Sequence, residues 1–386
     1  MKKKLLASAI LSVIVCHANA QSSVTLYGVL DTGLLYVNNS GGGSLYGMSA
    51  GNQQGNRWGL RGSEDIGGGL SAVFVLENGF SILNGRLGQG GDEFGRQAYV
   101  GLSSHYGTVT LGRQYDSVVD YTGVLEVGSQ WGSFYAAHPG DLDNLNNTNR
   151  VNNAIKYTSQ NLSGFKFGGL YSLGGVAGKF NTNQIWSGGL SYTNGPLNLA
   201  AAYLNVKNPN FSFFGNNSAS STTASNMTGS QVYSGFASAK TLEVVAVGGA
   251  YTFGAATFGG VYSNTQFRGL GQTAVTGLPA GVPHSGNAKF HNFEANFKYQ
   301  VTPSFLVGAA YNYTKGYDVS DQKIHQGVIG ADYFVSKRTD CYADVVYQHA
   351  SGTNSVGAPA AAQINGLSAS TTQNQVAAVV GIRHKF

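Results

Sequence analysis

From Lys289 to Val301 the chain alternates, residue by residue, between two unlike sets of side chains. His291, Phe293, Ala295, Phe297 and Tyr299 fall on one side of this period-two pattern. Phe290, Asn292, Glu294, Asn296, Lys298 and Gln300 fall on the other. A period of two means an extended strand with one face for each set. Phe305, Val307, Ala309, Tyr311 and Tyr313 repeat the pattern opposite Gly308, Asn312 and Thr314. Burying the polar set in a solid core would cost several kcal/mol for each unpaired charge. A water-filled interior removes that cost, so the pattern predicts a closed all-β barrel, apolar outside and wet within.

Composition narrows the choice further. Only 11% of residues are charged, against about 25% in ordinary soluble proteins. No apolar run reaches 18 residues, which excludes a helical membrane protein. Aromatic residues make up 12% of the chain, which argues against disorder.

Tight connections alternate with long ones. Seven short ones, rich in Gly, Pro or polar residues, fit hairpins: Glu64 to Gly69, Ser104 to Gly107, Asn161 to Gly164, Asn194 to Pro196, Phe253 to Ala255, Val301 to Pro303 and Val335 to Arg338. Eight longer polar stretches fall at about 38–54, 81–92, 116–149, 175–183, 208–240, 269–287, 317–321 and 351–373. These fifteen connections imply sixteen antiparallel strands. The strands are expected near 23–37, 55–66, 69–80, 93–103, 107–115, 150–160, 163–174, 184–194, 196–207, 241–253, 256–268, 288–301, 304–316, 322–335, 337–350 and 374–386. Sixteen strands leave an aqueous channel, whereas about eight would be filled by side chains. Closure leaves no unpaired backbone edge in lipid. The expectation is a 16-stranded antiparallel transmembrane β-barrel.

The first residues read as an address. Lys2, Lys3 and Lys4 precede an apolar stretch from Leu5 to Cys16, and Ala18-Asn19-Ala20 supplies a small-x-small cleavage site. Residues 1–20 are expected to be a signal peptide and 21–386 a single barrel domain. An anchor helix is disfavoured because the apolar stretch is too short to span a bilayer. Val15 is too bulky for lipoprotein processing at Cys16. Loss of three lysines lowers the formal charge from +5 to +2, which removes the footing for nucleic acid as a partner. Cys341 then stands alone, so no internal disulfide is expected, and its simplest role is a small apolar filler.

Several longer motifs resemble a known family. They include Ser23-Val24-Thr25-Leu26-Tyr27-Gly28-Val29-Leu30-Asp31, the run from Asn56 to Leu70, Phe94 to Leu102, Gly107 to Gln114, Asn152 to Tyr157, and Gly381-Ile382-Arg383-His384-Lys385-Phe386. Together they resemble the general porins of Gram-negative bacteria, those of β-proteobacteria in particular, over essentially the whole mature chain. Loops 208–240 and 351–373 have no match. The resemblance implies a homotrimer in the outer membrane, in contact with the lipid bilayer and lipopolysaccharide. Each barrel would be a passive channel for small hydrophilic solutes and ions. It further implies that the third extracellular loop, here 116–149, folds into the lumen and narrows the pore opposite a basic cluster. The last strand carries Val376, Ala378, Val380, Ile382, His384 and Phe386 on one face. Its aromatic end resembles the signal read by the outer-membrane barrel assembly machinery, although Phe386 is also simply one of 20 Phe.

A connection of that length usually serves a function. Loop 116–149 holds Asp116, Asp120, Glu126, Asp141 and Asp143 and no basic residue except histidine. The candidate basic cluster, matched to the family, is Arg57, Arg96 and Arg150, with Arg113 next; Glu126 and Asp141 are the candidate opposing acids. Such an arrangement would focus a transverse field between low-dielectric walls. Arginine suits it by staying charged. Strand parity opposes part of this assignment. Arg96 shares parity with Val100 and Leu102, and Arg113 with Val109 and Leu111, so both face outward unless a bulge intervenes. For each arginine a solvated or headgroup-facing charge is the competing reading. Pro139-Gly140-Asp141-Leu142 stands where the family carries Pro-Glu-Phe-Gly. Three or four arginines against five loop acids predict a weak anion preference.

Tyr36, Tyr192, Tyr299, Tyr311, Tyr333 and Tyr347 lie near strand ends, as interfacial girdles do. No strand carries Ser and His beside an acid, and no His pair has metal-ligand spacing, so no enzyme, cofactor or metal site is expected. Gly88-x-Gly90 lacks the strand-then-helix setting of a phosphate loop. The Ser/Thr/Asn-rich stretch 216–231 reads as a mobile external loop. A solute-specific channel for phosphate, a sugar or an organic anion is the alternative function, and a barrel adhesin or enzyme a distant one.

Overall fold

The computed structural model describes residues 23–386; the expected signal segment lies outside them. Seventeen strand segments form one antiparallel sheet. They are β1 (Ser23–Ser40), β2 (Gly43–Ala50), β3 (Arg57–Gly67), β4 (Leu70–Gly79), β5 (Gln97–Ser104), β6 (Gly107–Gln114), β7 (Val151–Thr158), β8 (Phe165–Ser172) and β9 (Ile185–Asn194). The sheet continues with β10 (Leu197–Lys207), β11 (Thr241–Phe253), β12 (Ala256–Arg268), β13 (Asn287–Thr302), β14 (Phe305–Asp318), β15 (Lys323–Phe334), β16 (Thr339–Ser351) and β17 (Asn374–Lys385). β1 pairs with β3 along Ser23–Val29 and with β2 along Thr32–Ser40. β2 and β3 are therefore two halves of one stave, and the barrel has sixteen staves.

Residues 51–56 interrupt that second stave, and side chains replace the missing ladder bonds. Asp31 Oδ2 accepts from the Gln53 and Gln54 amides, both at 2.8 Å, while Asn56 bonds both backbone groups of Asp31. The long first loop expected at 38–54 is absent. Gly41 and Gly42 adopt φ +64° and +106° in a tight turn, and the chain runs straight back as β2. Two glycines suffice for this reversal because they enter positive φ without a Cβ clash.

β1 closes the cylinder on β17, from Val29 opposite Lys385 to Val37 opposite Ala377. The Phe386 amide donates to Gly28 O at 3.1 Å and its carbonyl accepts from the Gly28 amide at 3.0 Å, so the last residue completes the seam. No sheet edge is left for lipid. The two faces follow the alternation. On β13, Phe290, Asn292, Glu294 and Asn296 are buried and point inward, while Phe293 is 52% exposed on the outside. On β17, Val380 and Ile382 face out and Arg383 faces in, where it meets Asp340 at 2.9 Å. Tyr299, Tyr311, Tyr333 and Tyr347 are exposed on the outer face. Cys341 is exposed there as well, and so is no filler of a core.

Loop 116–149 folds into the barrel as a chain of short π and 3-10 turns. Its Val118, Leu125, Val127, Trp131 and Ala136 are buried against the inner wall. Trp131 covers Gly308 and Gly330; a Cβ at Gly308 would collide with the indole, and one at Gly330 would press against it and collide with Asp344. Those glycines let the ring lie directly on the sheet.

Candidate functional site

Between loop 116–149 and the opposite wall lies a cavity of about 590 Å³. Arg57, Arg96 and Arg150 all line it, together with Tyr115 and the loop residues Val124, Ser129, Phe134 and Asn146. Among the described residues, no carboxylate lines it. Arg57 opens β3, and its Nε donates to Gly55 O at 2.9 Å. Arg150 immediately precedes β7; its Nη1 donates to Thr148 O at 2.9 Å, and its guanidinium lies 5.7 Å from the Tyr115 ring centre. Among the described residues neither has a carboxylate within salt-bridge distance. Burial, and then the charge of Arg96, push Arg150 below its ordinary pKa.

Arg96 is held differently. Its Nε donates to Glu77 Oε1 at 2.7 Å and its Nη2 to the Tyr115 hydroxyl at 3.1 Å. Tyr115 and Tyr27 each donate to Glu77 as well, both at 2.9 Å. Glu77, 3% exposed, thus fixes one guanidinium at the wall without entering the cavity.

Bulges resolve the parity conflict. Arg96 precedes β5, and its amide shares Glu77 O with a ladder that pairs Glu77 to Gln97, so the alternation breaks before it. Between β6 and β7 the register jumps from Gly112 opposite Ala154 to Gln114 opposite Val151, so that Asn152 and Asn153 of β7 stand against the single residue Arg113, with Gly112 at φ +138° and Asn153 at +52°. The extra residue is on β7, and with Gly112 in positive φ the local alternation is broken where Arg113 sits. Its Nε reaches Gly95 O at 2.7 Å and its Nη1 reaches Asn216 O at 2.7 Å. Arg113 does not line the cavity.

Glu126 and Asp141 do not join them as opposing acids. Glu126 is completely buried beneath the loop, where its Oε1 accepts from the His138 amide at 2.8 Å. Asp141 accepts from the Asn146 and Thr148 amides, both at 2.9 Å, and holds the loop's own turn. Asp143 bonds His138 and Ser263, Asp116 bonds Asn144, and Asp120 pairs with Lys156. Burial raises Asp116 to about 6 and Asp141 to about 7. The physical reason is that an inward-folded loop must have its own turns and its attachments to the wall held, and these acids are engaged in that.

Several residues at the site escaped sequence reasoning. Glu77 and Tyr115 orient Arg96 from other strands, which only the fold brings together. Gln130 escaped it too; with Asp120 and Lys298, which the sequence places on the loop and on the inward face, it lines a second cavity of about 330 Å³ that shares Val124 with the first. Loop 208–240 is packed rather than free of the barrel: Phe213, Met227 and Phe236 are buried, Asn216 bonds Arg113 and Arg150, and Gln231 meets Asn354 and Ser355 of loop 351–373.

Comparison with known proteins gives a consistent result. The family model described as Gram-negative porin matches residues 7–353. An outer membrane porin protein of Bordetella pertussis is 34% identical, covering 89% of this chain and 93% of that protein. Outer membrane porin protein 32 of Delftia acidovorans is 31% identical over the full length of both. Among solved structures, the anion-selective porin from Comamonas acidovorans superposes with a TM-score of 0.72 at 26% identity, covering 95% of this chain and all of that one.

Proposed function

Because this chain belongs to the Gram-negative porin family, a family of outer-membrane channels and not of enzymes, we propose that it conducts small hydrophilic anions through a constriction formed by loop 116–149 and the arginines Arg57, Arg96 and Arg150. The observation that carries this reading is the one-sided charge of the opening: among the described residues three guanidiniums line it and no carboxylate does. In a narrow passage with low-dielectric walls, fixed cations concentrate anions and repel cations. With the loop acids withdrawn from the opening, the anion preference is stronger than a count of charges suggests. Arg113, tied to Asn152 and Asn216, does not line the opening.

The working unit is a homotrimer, a reading supported by membership of the porin family. Phe386, paired at the closing seam, suits recognition of the last strand by the barrel assembly machinery. Lipid and lipopolysaccharide meet the remaining outer face. Reversal potentials of the purified protein in a planar bilayer under a salt gradient test the selectivity. The expected sign is that of an anion-preferring pore, with the preference fading at high salt because the Debye length is about 8 Å at physiological ionic strength and shorter above it. A cation-preferring wild-type channel would overturn the assignment.

A further inference from the structure

On the side of loop 116–149 away from the arginines, three side chains converge from distant parts of the sequence. Glu126 and His138 come from the loop and Glu294 from β13, and their side chains are buried: Glu126 and His138 are 0% exposed and Glu294 5%. Each has one polar atom already engaged. Glu126 Oε1 accepts from the His138 amide at 2.8 Å, and Glu294 Oε1 accepts from the Val127 amide at 2.9 Å and from Asn296 Nδ2 at 2.6 Å. His138 Nδ1 lies 2.6 Å from Asp143 Oδ2. Glu126 Oε2, His138 Nε2 and Glu294 Oε2 remain without hydrogen-bond partners. One donor atom from each residue lies within 4.8 Å of the others.

We propose that Glu126, His138 and Glu294 bind a divalent transition-metal ion of the zinc type, which fastens the constriction loop to the barrel wall. Buried polar atoms left unpaired are rare in folded proteins, and three facing one point call for a shared partner. One imidazole nitrogen and two carboxylate oxygens make a donor set typical of zinc, with a fourth position for water. His138 Nε2 and Glu294 Oε2 are 3.3 Å apart, close enough for an ion pair if the imidazole is protonated. That separation is about the edge of a tetrahedron whose arms are roughly 2.0 Å long. Asp143 supplies the supporting contact such sites use: by accepting the Nδ1 proton it leaves the Nε2 lone pair free for the metal. A dication also balances the two carboxylates, which otherwise face each other in a buried space. Asp143 is in turn held by Ser263 at 2.5 Å and Asn292 at 3.3 Å, so the supporting shell is anchored to the wall.

The competing occupant is a proton, held on His138 between the acids. Metal content separates the two. The full chain is refolded into detergent with zinc or cobalt present, washed with chelator, and assayed for metal by mass spectrometry, with folding checked by the barrel's resistance to unfolding in cold dodecyl sulfate. The expected result is about one metal per chain, falling at least about tenfold in His138→Gln and Glu126→Gln. The cobalt form should show the visible absorption of a four-coordinate nitrogen and oxygen site. Asp143→Asn, which removes no ligand, should weaken affinity by about 10–100-fold. Folded wild-type protein that retains less than about a tenth of a metal per chain overturns the proposal, as does undiminished metal in folded His138→Gln. Should both ligand variants fail to fold, the wild-type stoichiometry and the cobalt spectrum decide alone. Ion selectivity plays no part in this readout, so failure here leaves the proposed anion channel standing, and the converse also holds.

Discussion

The two faces of loop 116–149 treat charge in opposite ways. Toward β3 and β7 the loop offers Val124, Ser129, Phe134 and Asn146 to a wall of arginines, two of which lack an acidic partner. Toward β12, β13 and β15 it is tied by Asp143 to Ser263, by the Val127 amide to Glu294, and by the Ala136 and Ala137 carbonyls to Gln326. On the first face charge is left unpaired beside water, where it acts on passing ions. On the second it is buried and paired, where it holds the loop in place. A residue's place on the loop therefore says more about its role than its sign does.

The largest effect should come from breaking the one pair that joins both behaviours. Arg96→Ala removes a guanidinium from the opening and strands Glu77, 3% exposed, without its cation. Breaking such a pair costs about 3–5 kcal/mol of stability. The freed carboxylate should also move the reversal potential toward cations. Thermal unfolding and bilayer recordings on the same preparation check both, and a variant unchanged in either respect would contradict the role given to Glu77.

Next comes the fastened face. Trp131→Ala empties the space over Gly308 and Gly330, and truncating a buried Trp costs about 3–5 kcal/mol. The loss falls on the attachment of the loop, so single-channel conductance should rise and become noisier while the sign of selectivity stays. Unaltered conductance would show that the loop is held without the indole.

A smaller effect, tied to pH, is expected at the root of the loop. Burial raises Asp116 from its ordinary value of 3.8 to about 6, so the folded loop holds its proton more tightly than the unfolded chain does. The stabilisation is full below about 4 and is lost as pH rises through about 6. It amounts to roughly 2–3 kcal/mol. Protection factors for amide exchange at residues 116–122, each referred to the intrinsic exchange rate at the same pH, should therefore be larger at pH 4 than at pH 8. Asp116→Asn should flatten that difference; a difference that persists in the variant would assign it to another group.

The period-two pattern made β13 and β14 legible almost to the residue, because one wet face and one lipid face leave a strand no other register. The first connection was not legible. Its polar Asn38 to Gly43 looks like a loop, yet two positive-φ glycines compress the reversal and return the chain to the sheet. Arg113 points inward only because Gly112 and Asn153 accept a bulge, and a parity count carried across that bulge gives the wrong face. Glu77 beside Arg96, and Glu294 beside His138, are contacts between residues far apart in the chain. Local pattern carries strand identity; it does not carry which acids end up across from which bases.

The smallest effect discriminates most sharply between the two faces. If an acid's sign alone mattered, neutralising Asp141 would raise anion preference as much as removing an arginine lowers it. Asp141 instead accepts from the Asn146 and Thr148 amides in its own turn and does not line the opening. Asp141→Asn should shift the permeability ratio by less than about twofold, whereas Arg57→Ala, at the open wall, should lower it by roughly two- to fivefold, as expected for one charge a few ångströms from the ion in a watery passage. Paired reversal-potential measurements at low salt, where screening is weakest, resolve that gap. Equal and opposite shifts would mean that the loop's acids act across the pore after all, and the division between its two faces would fail.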